Sequence, residues 1–137
     1  MAQIDLYDAI FGKLTADQTP GSFFDDLGGR INLHEGPQDE VLPRANFTVV
    51  TDIRQRFFDG NDILATFQLD IYNDAEASTQ EALLAIHEKA LTLLDAQAIT
   101  MANHSNAQVF VDDKGTLVKE EDAWRITSQW RVMASEN

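Results

Sequence analysis

The sequence predicts an α+β fold: an antiparallel sheet of about four or five strands, with a long central helix packed on one face and an N-terminal helix beside it. Three observations carry this. Between Asn46 and Tyr72, two runs of strand-like alternation flank a turn at Asp59-Gly60-Asn61. Asp-Gly between such runs is a strong hairpin signal, because both residues tolerate the positive φ that tight turns require. Directly afterwards, apolar residues up to Leu94 recur at three- and four-residue spacing, the period of one helix face. The remaining links are short and hairpin-like, and the long alternating crossovers of a parallel doubly wound sheet are absent.

The elements follow in order. Ile4, Tyr7, Ile10, Phe11 and Leu14 form an apolar stripe that predicts a helix over residues 3–17, broken by Thr19-Pro20-Gly21. A short helical turn follows, with Ser22 as N-cap and Gly28-Gly29 as its stop. Arg30 to His34 reads as a short strand, and Glu35 to Pro43, with Gly36, Pro37 and Pro43, as a loop. The first hairpin strand puts Phe47, Val49, Thr51 and Ile53 on one face. The return strand sets Ile63, Ala65, Phe67, Leu69 and Ile71 against Leu64, Thr66, Gln68, Asp70 and Tyr72, one face core and the other mostly polar. Ser78 and Glu81 have capping-box spacing, with Asp74 as an alternative start one turn earlier. Leu83, Ile86, Ala90, Leu93 and Leu94 then give the helix its apolar face. Ala107–Val111 and Thr116–Lys119 around Asp112-Asp113-Lys114-Gly115 predict a second hairpin. A final strand, Trp124 to Met133, places Trp124, Ile126, Trp130 and Val132 on one side.

Length and composition narrow the classes. At 137 residues and 15.3 kDa the chain suits a single domain, 1–137. It contains no cysteine, which removes disulfides and thiolate metal sites. No apolar stretch approaches the roughly 20 residues that span a bilayer. The start, Met1-Ala2-Gln3-Ile4-Asp5, lacks the basic region and apolar run of a signal peptide, so a soluble cytoplasmic product is expected. Ten basic and 23 acidic side chains leave a net charge of −13, a surface that repels nucleic acid backbones and anionic membranes alike.

Chemistry is not visible in the motifs. His34, His87 and His104 fall in different predicted elements, and none belongs to an HExxH or similar pattern. A G-x-S-x-G elbow, a P-loop and a G-x-G-x-x-G fingerprint are all missing. Asp112, Asp113, Glu120, Glu121 and Asp122 form the densest acidic patch. Hard cations take oxygen ligands from such clusters, but the EF-hand spacing is missing and a charge-rich turn is ordinarily just solvated. No catalytic residue, metal ligand or cofactor is expected.

The hairpin tip points instead to contacts between proteins. Phe57 and Phe58 are adjacent, so in a strand they face opposite ways and cannot both enter one core. Alternation counted from Phe47 puts Phe57 inward and Phe58 on the polar side with Arg54 and Arg56, unless a bulge exchanges them. Arg54, Arg56, Phe57, Phe58 and Asp59 are therefore the candidate interface.

The layout resembles a known family. A helix from Asp5 to Leu14 leads through Leu27-Gly28-Gly29-Arg30-Ile31 to a proline-marked loop at Leu42-Pro43. The strand Ala-Thr-Phe-Gln-Leu-Asp-Ile-Tyr-Asn-Asp, residues 65–74, runs straight into a long helix, and the chain closes with Trp-Arg-Ile-Thr-Ser-Gln-Trp-Arg-Val, residues 124–132. Over nearly its whole length this is similar to the tail-completion, or tail-terminator, proteins of long-tailed bacteriophages and gene transfer agents. The resemblance implies a homo-hexameric ring at the head-proximal end of the tail tube. Such a ring ends tube polymerisation and meets the head-tail connector or adaptor protein. DNA then passes through the lumen without specific binding, and Asp112, Asp113, Glu120, Glu121 and Asp122 are the candidates to line it. The expected location is the virion tail or neck, assembled in the host bacterial cytoplasm.

Two rivals remain on the sequence. Another neck protein, a head-completion or connector-adaptor ring, shares the architecture. A small-molecule-binding α+β domain would need convergent polar groups in an apolar cavity. The inward positions, from Ile63 through Ile71 and from Leu83 to Leu94, are nearly all apolar and disfavour it.

Overall fold

The computed structural model describes residues 2–33, 43–57, 60–74, 79–119 and 123–136. The α+β class is borne out. In chain order the elements are α1 (Ala2–Thr15), α2 (Phe23–Asp26), β1 (Ile31–Leu33), β2 (Arg44–Phe57), β3 (Gly60–Asp74), α3 (Thr79–Leu94), β4 (Gln97–Ala98), β5 (His104–Asp113), β6 (Leu117–Lys119) and β7 (Ala123–Glu136). Among the described residues, seven strands form the sheet, in the order β1-β2-β3-β7-β5-β4, with β6 alongside β7. Every pairing is antiparallel except β1 with β2, which is parallel. The sheet is thus larger than the expected four or five strands, because three pieces of three residues or fewer extend it.

The helices lie on one sheet face and are seated by apolar residues at helical spacing. In α1 the buried residues are Leu6, Ala9, Ile10 and Leu14, while Tyr7 is half-buried and Phe11 exposed. The stripe is therefore turned from the expected one, with Leu6 inside and Phe11 at its margin, 6.4 Å from the Phe47 ring. In α3 the core side carries Leu83, Ile86, Ala90 and Leu94, as the spacing predicts. Ser22 caps α2 by accepting the Asp25 N–H at 3.1 Å, and Gly28 and Gly29 end it at φ +58° and +76°. Those left-handed values are open to glycine at little cost. An ion pair of 2.5 Å between Lys89 and Asp26 links α3 to α2.

Under the helices, Phe47, Ala65, Phe67, Leu69, Ile71, Ile126, Trp130 and Val132 supply the sheet's side of the core. Phe67 and Trp130 stack at 6.0 Å with planes 8° apart. Burying side chains of this size stabilises by about 1.5–3 kcal/mol each.

Two expected turns are built differently. Phe57 pairs with Gly60, so β3 begins at Gly60 and the connection falls at residues 58–59, outside the described residues. In addition, the register slips between Val49 and Thr51: Val49 pairs with Phe67 but Thr51 with Thr66, leaving Asp52 opposite Ala65 and Arg54 opposite Ile63. One extra residue in one strand does this. Alternation counted from Phe47 therefore does not continue to Thr51 and Ile53, which removes the basis for choosing between Phe57 and Phe58 by counting.

The expected hairpin across Asp112–Gly115 is not one either. β5 and β6 both pair with β7 and not with each other. Asp113 lies opposite Gln129 and Leu117 opposite Ile126, so three residues on one side face two on the other. The acidic turn is a bulge that lets one strand line continue. Gly115 makes the bend at φ +81°, its N–H donating to Asp113 Oδ1 at 2.8 Å.

Candidate interaction surfaces

The sheet has one face under the helices and one face without a helix upon it. Along β7, Ile126, Ser128, Trp130 and Val132 are buried in the core, whereas Arg125, Thr127, Gln129, Arg131 and Met133 alternate onto the other side. Cross-strand neighbours share a face. The register therefore sets Asn46 and Thr127 on either side of Asp70, and Tyr72 beside Arg125.

A polar ladder occupies the middle of this open face. Thr127 donates to Asp70 Oδ1 at 2.5 Å, Gln68 Nε2 donates to the same carboxylate at 3.0 Å, and Gln129 Nε2 donates to Gln68 Oε1 at 2.9 Å. These bonds hold Asp70 although it is only 8% exposed. Asp70 is thus satisfied across β3 and β7 by neutral donors. Asn46, at 6% exposure, has an Oδ1 without a hydrogen-bond partner among the described residues.

Arginines flank the ladder. Arg44 lies over the Tyr72 ring at 5.2 Å and Arg131 over the Phe110 ring at 5.7 Å. Arg131 also meets Asp112 at 3.3 Å, with both side chains close to half exposed. Such an exposed pair contributes under about 1 kcal/mol. Val118 pairs in register with Arg125, and both Val118 and Met133 are exposed on this side.

The two sheet margins differ. Beyond β5, β4 pairs with Gln108 and Val109, Ile99 donates to Ala107, and Asp95 Oδ1 accepts the Val111 N–H at 3.0 Å. That margin is largely occupied. On the other side, among the described residues, β1 pairs with residues 45–47 of β2.

The sequence-derived candidates are distributed as follows. Arg54, Arg56 and Phe57 belong to the far end of β2, and Phe58 and Asp59 lie outside the described residues. Asp112 and Asp113 are exposed at the β5 bulge; Glu120, Glu121 and Asp122 lie outside the described residues. The structure keeps the hairpin end and the acidic bulge on different strands, separated in the sheet by β3 and β7.

Of the histidines, His34 lies outside the described residues. His104 Nδ1 sits 2.6 Å from the Ala102 carbonyl. His87 is buried on α3, and desolvation lowers its pKa below the ordinary histidine value, opposed by the Lys114 backbone and Glu88. Among the described residues no three His, Asp or Glu side chains are grouped to hold a metal ion. A groove of about 430 Å³ runs between the end of α1, the start of α2 and α3. Lys13, Asp17, Glu88 and Lys89 line it with mixed charge, and Gln97 of β4 also belongs to its wall.

Sequence reasoning missed the open face as a unit. The alternation of Arg125, Thr127, Gln129 and Arg131 carried its signal, but the pairing of β7 between β3 and β5 is what joins it to Gln68, Asp70 and Phe110.

No protein-family profile matches the chain, and no curated protein matches it. Among solved structures it is similar to a chain from the virion of a native gene transfer agent (GTA) particle, with a TM-score of 0.71 at 14% identity. The match covers 98% of this chain and 97% of that one. At that identity the likeness is one of fold.

Proposed function

We propose that this chain is a non-enzymatic virion protein. Six copies form a ring that caps the head-proximal end of a phage-type tail tube, ends tube polymerisation and joins the tail to the head-tail connector. The observation that carries this reading is the end-to-end likeness of fold to a chain of a gene transfer agent virion. It agrees with the independent resemblance of residues 65–74 and 124–132 to tail-terminator proteins. Filling of the space between helices and sheet by Phe67, Leu69, Leu83 and Leu94 leaves little room there for a small molecule.

In this reading the chain acts in the virion neck after assembly in the bacterial host. Its partners are further copies of itself, the tail tube protein and a connector or adaptor protein. Arg54, Arg56, Phe57, Phe58 and Asp59 serve as contact residues. Asp112, Asp113, Glu120, Glu121 and Asp122 face the conduit, where like charge lets DNA slide.

Removing the gene from a producing strain tests the reading. Tubes of uncontrolled length without heads are expected, and a wild-type copy in trans should restore uniform tails. Normal tail length combined with DNA-filled heads that fail to join would place the chain among the head-completion or adaptor proteins instead.

A further inference from the structure

A buried imidazole ties the helical layer to the acidic bulge of the sheet. His87 shares the core side of α3 with Leu83 and Ala90 and is 6% exposed. Its ring bonds to the backbone of Lys114, in the bulge that joins β5 to β6. Nδ1 is buried without a hydrogen-bond partner among the described residues. This arrangement suits a neutral ring that carries its proton on Nε2 and donates it to the Lys114 carbonyl.

Little around the ring would welcome a second proton. Glu88, beside it on α3, favours the imidazolium, and the Lys114 ammonium opposes it. The other charged groups nearby are engaged. Asp113 accepts the Gly115 N–H, Asp112 meets Arg131 on the open sheet face, and Asp95 accepts the Val111 N–H. Asp26 of α2 is paired with Lys89. Beneath α3 the sheet presents the buried Leu69, Val109, Ile126 and Trp130, which carry no charge.

We propose that His87 is an acid-sensitive latch between α3 and the bulge of residues 112–115. Protonation puts a hydrogen on Nδ1, a buried donor with no acceptor, and such a donor is costly to keep. The imidazolium turns toward solvent, its bond to the Lys114 carbonyl breaks, and the bulge is released from α3. β7 still pairs with both flanks of the bulge, so the opening stays local. Since Asp112 of the bulge pairs with Arg131, the latch connects the helical layer to the open sheet face. The inference goes beyond the ring reading and does not depend on it.

Hydrogen exchange on the intact protein tests the latch, from about pH 7.5 to pH 5, the span in which histidine is the ordinary titrating side chain. Rates are corrected for the intrinsic effect of pH. Amides of residues 114–119 should lose roughly tenfold in protection per pH unit below the pKa of the folded ring, while β3 amides paired with β7 keep theirs. NMR titration of the His87 ring should give the same midpoint. His87→Gln, whose amide can donate to the same carbonyl without titrating, should keep the bulge protected throughout. His87→Leu should leave it unprotected throughout. His34 and His104 remain in both variants as controls, and thermal unfolding checks that each is folded.

Bulge protection that ignores pH in the wild-type chain overturns the proposal, and this measurement needs no substitution. An acid loss that persists in His87→Gln also overturns it, as does loss in β3 and the bulge together, which would be general unfolding.

Discussion

The indole N–H of Trp130 donates to Ser128 Oγ at 2.7 Å, and both side chains are completely buried. Ser128 in turn donates to the Leu69 carbonyl at 3.3 Å. A serine in the middle of an apolar strand face thus supplies the acceptor that lets a tryptophan lie flat against Phe67. Ser128→Ala should cost about 1–3 kcal/mol by leaving the indole donor unsatisfied. Thermal unfolding with fluorescence detection measures this; an unchanged melting temperature would show that the bond carries no weight.

Gly115 approaches the β7 backbone so closely that an added Cβ would stand 1.9 Å from the Thr127 carbonyl oxygen. Its φ of +81° is itself unfavourable for any L side chain. Gly115→Ala should therefore destabilise by more than about 2 kcal/mol, combining backbone strain with overpacking. Urea unfolding measures the loss, and hydrogen exchange should locate the first opening where β6 pairs with Ile126.

His87 predicts a direction of pH dependence. Burial lowers its pKa in the folded chain, so the unfolded chain takes up a proton near 6.5 while the folded one does so only at lower pH. Its contribution is therefore full above pH 6.5 and is lost as the pH falls through the folded value. His87→Gln should flatten the stability-against-pH curve below pH 6.5 by up to ~1.4 kcal/mol per pH unit. Parallel curves for the two proteins would contradict a buried neutral imidazole.

DNA should not adhere. Binding to a phosphate backbone releases counterions only where cations cluster, and this chain has ten cations against 23 anions. Fluorescence anisotropy with duplex DNA at about 0.15 M salt should show no measurable affinity. Micromolar, salt-sensitive binding would be incompatible with a freely passed conduit.

Much of the fold was legible because its signals are local. The alternation of Ala65, Phe67, Leu69 and Ile71 and the spacing of Leu83, Ile86, Ala90 and Leu94 each declare their own buried face. The errors lie where a distant segment decides. Nothing near Val50 announces the slip of register, which is set by the pairing of β2 with β3. Asp112–Gly115 has the composition of a hairpin turn, but β7 captures both flanking strands and turns it into a bulge. β4, two residues long, has no periodicity to detect. In α1 the choice between Leu6 and Phe11 as the inward residue depends on how the helix rolls against Phe47, a tertiary matter. The candidate surfaces were less legible still, since an open face is assembled from β2, β3, β5, β6 and β7 together.

The position of β7 has a consequence for how the protein is made. β3 and β5 flank it, and 13 residues of β3 pair with it. All of its neighbours precede it in the chain, so a growing chain holds β5 without its long partner until residues 123–136 have left the ribosome. At roughly 5–20 residues per second, some seconds pass with the two halves of the sheet unjoined. The surface that spans β3, β7 and β5 therefore comes into being only once β7 has emerged.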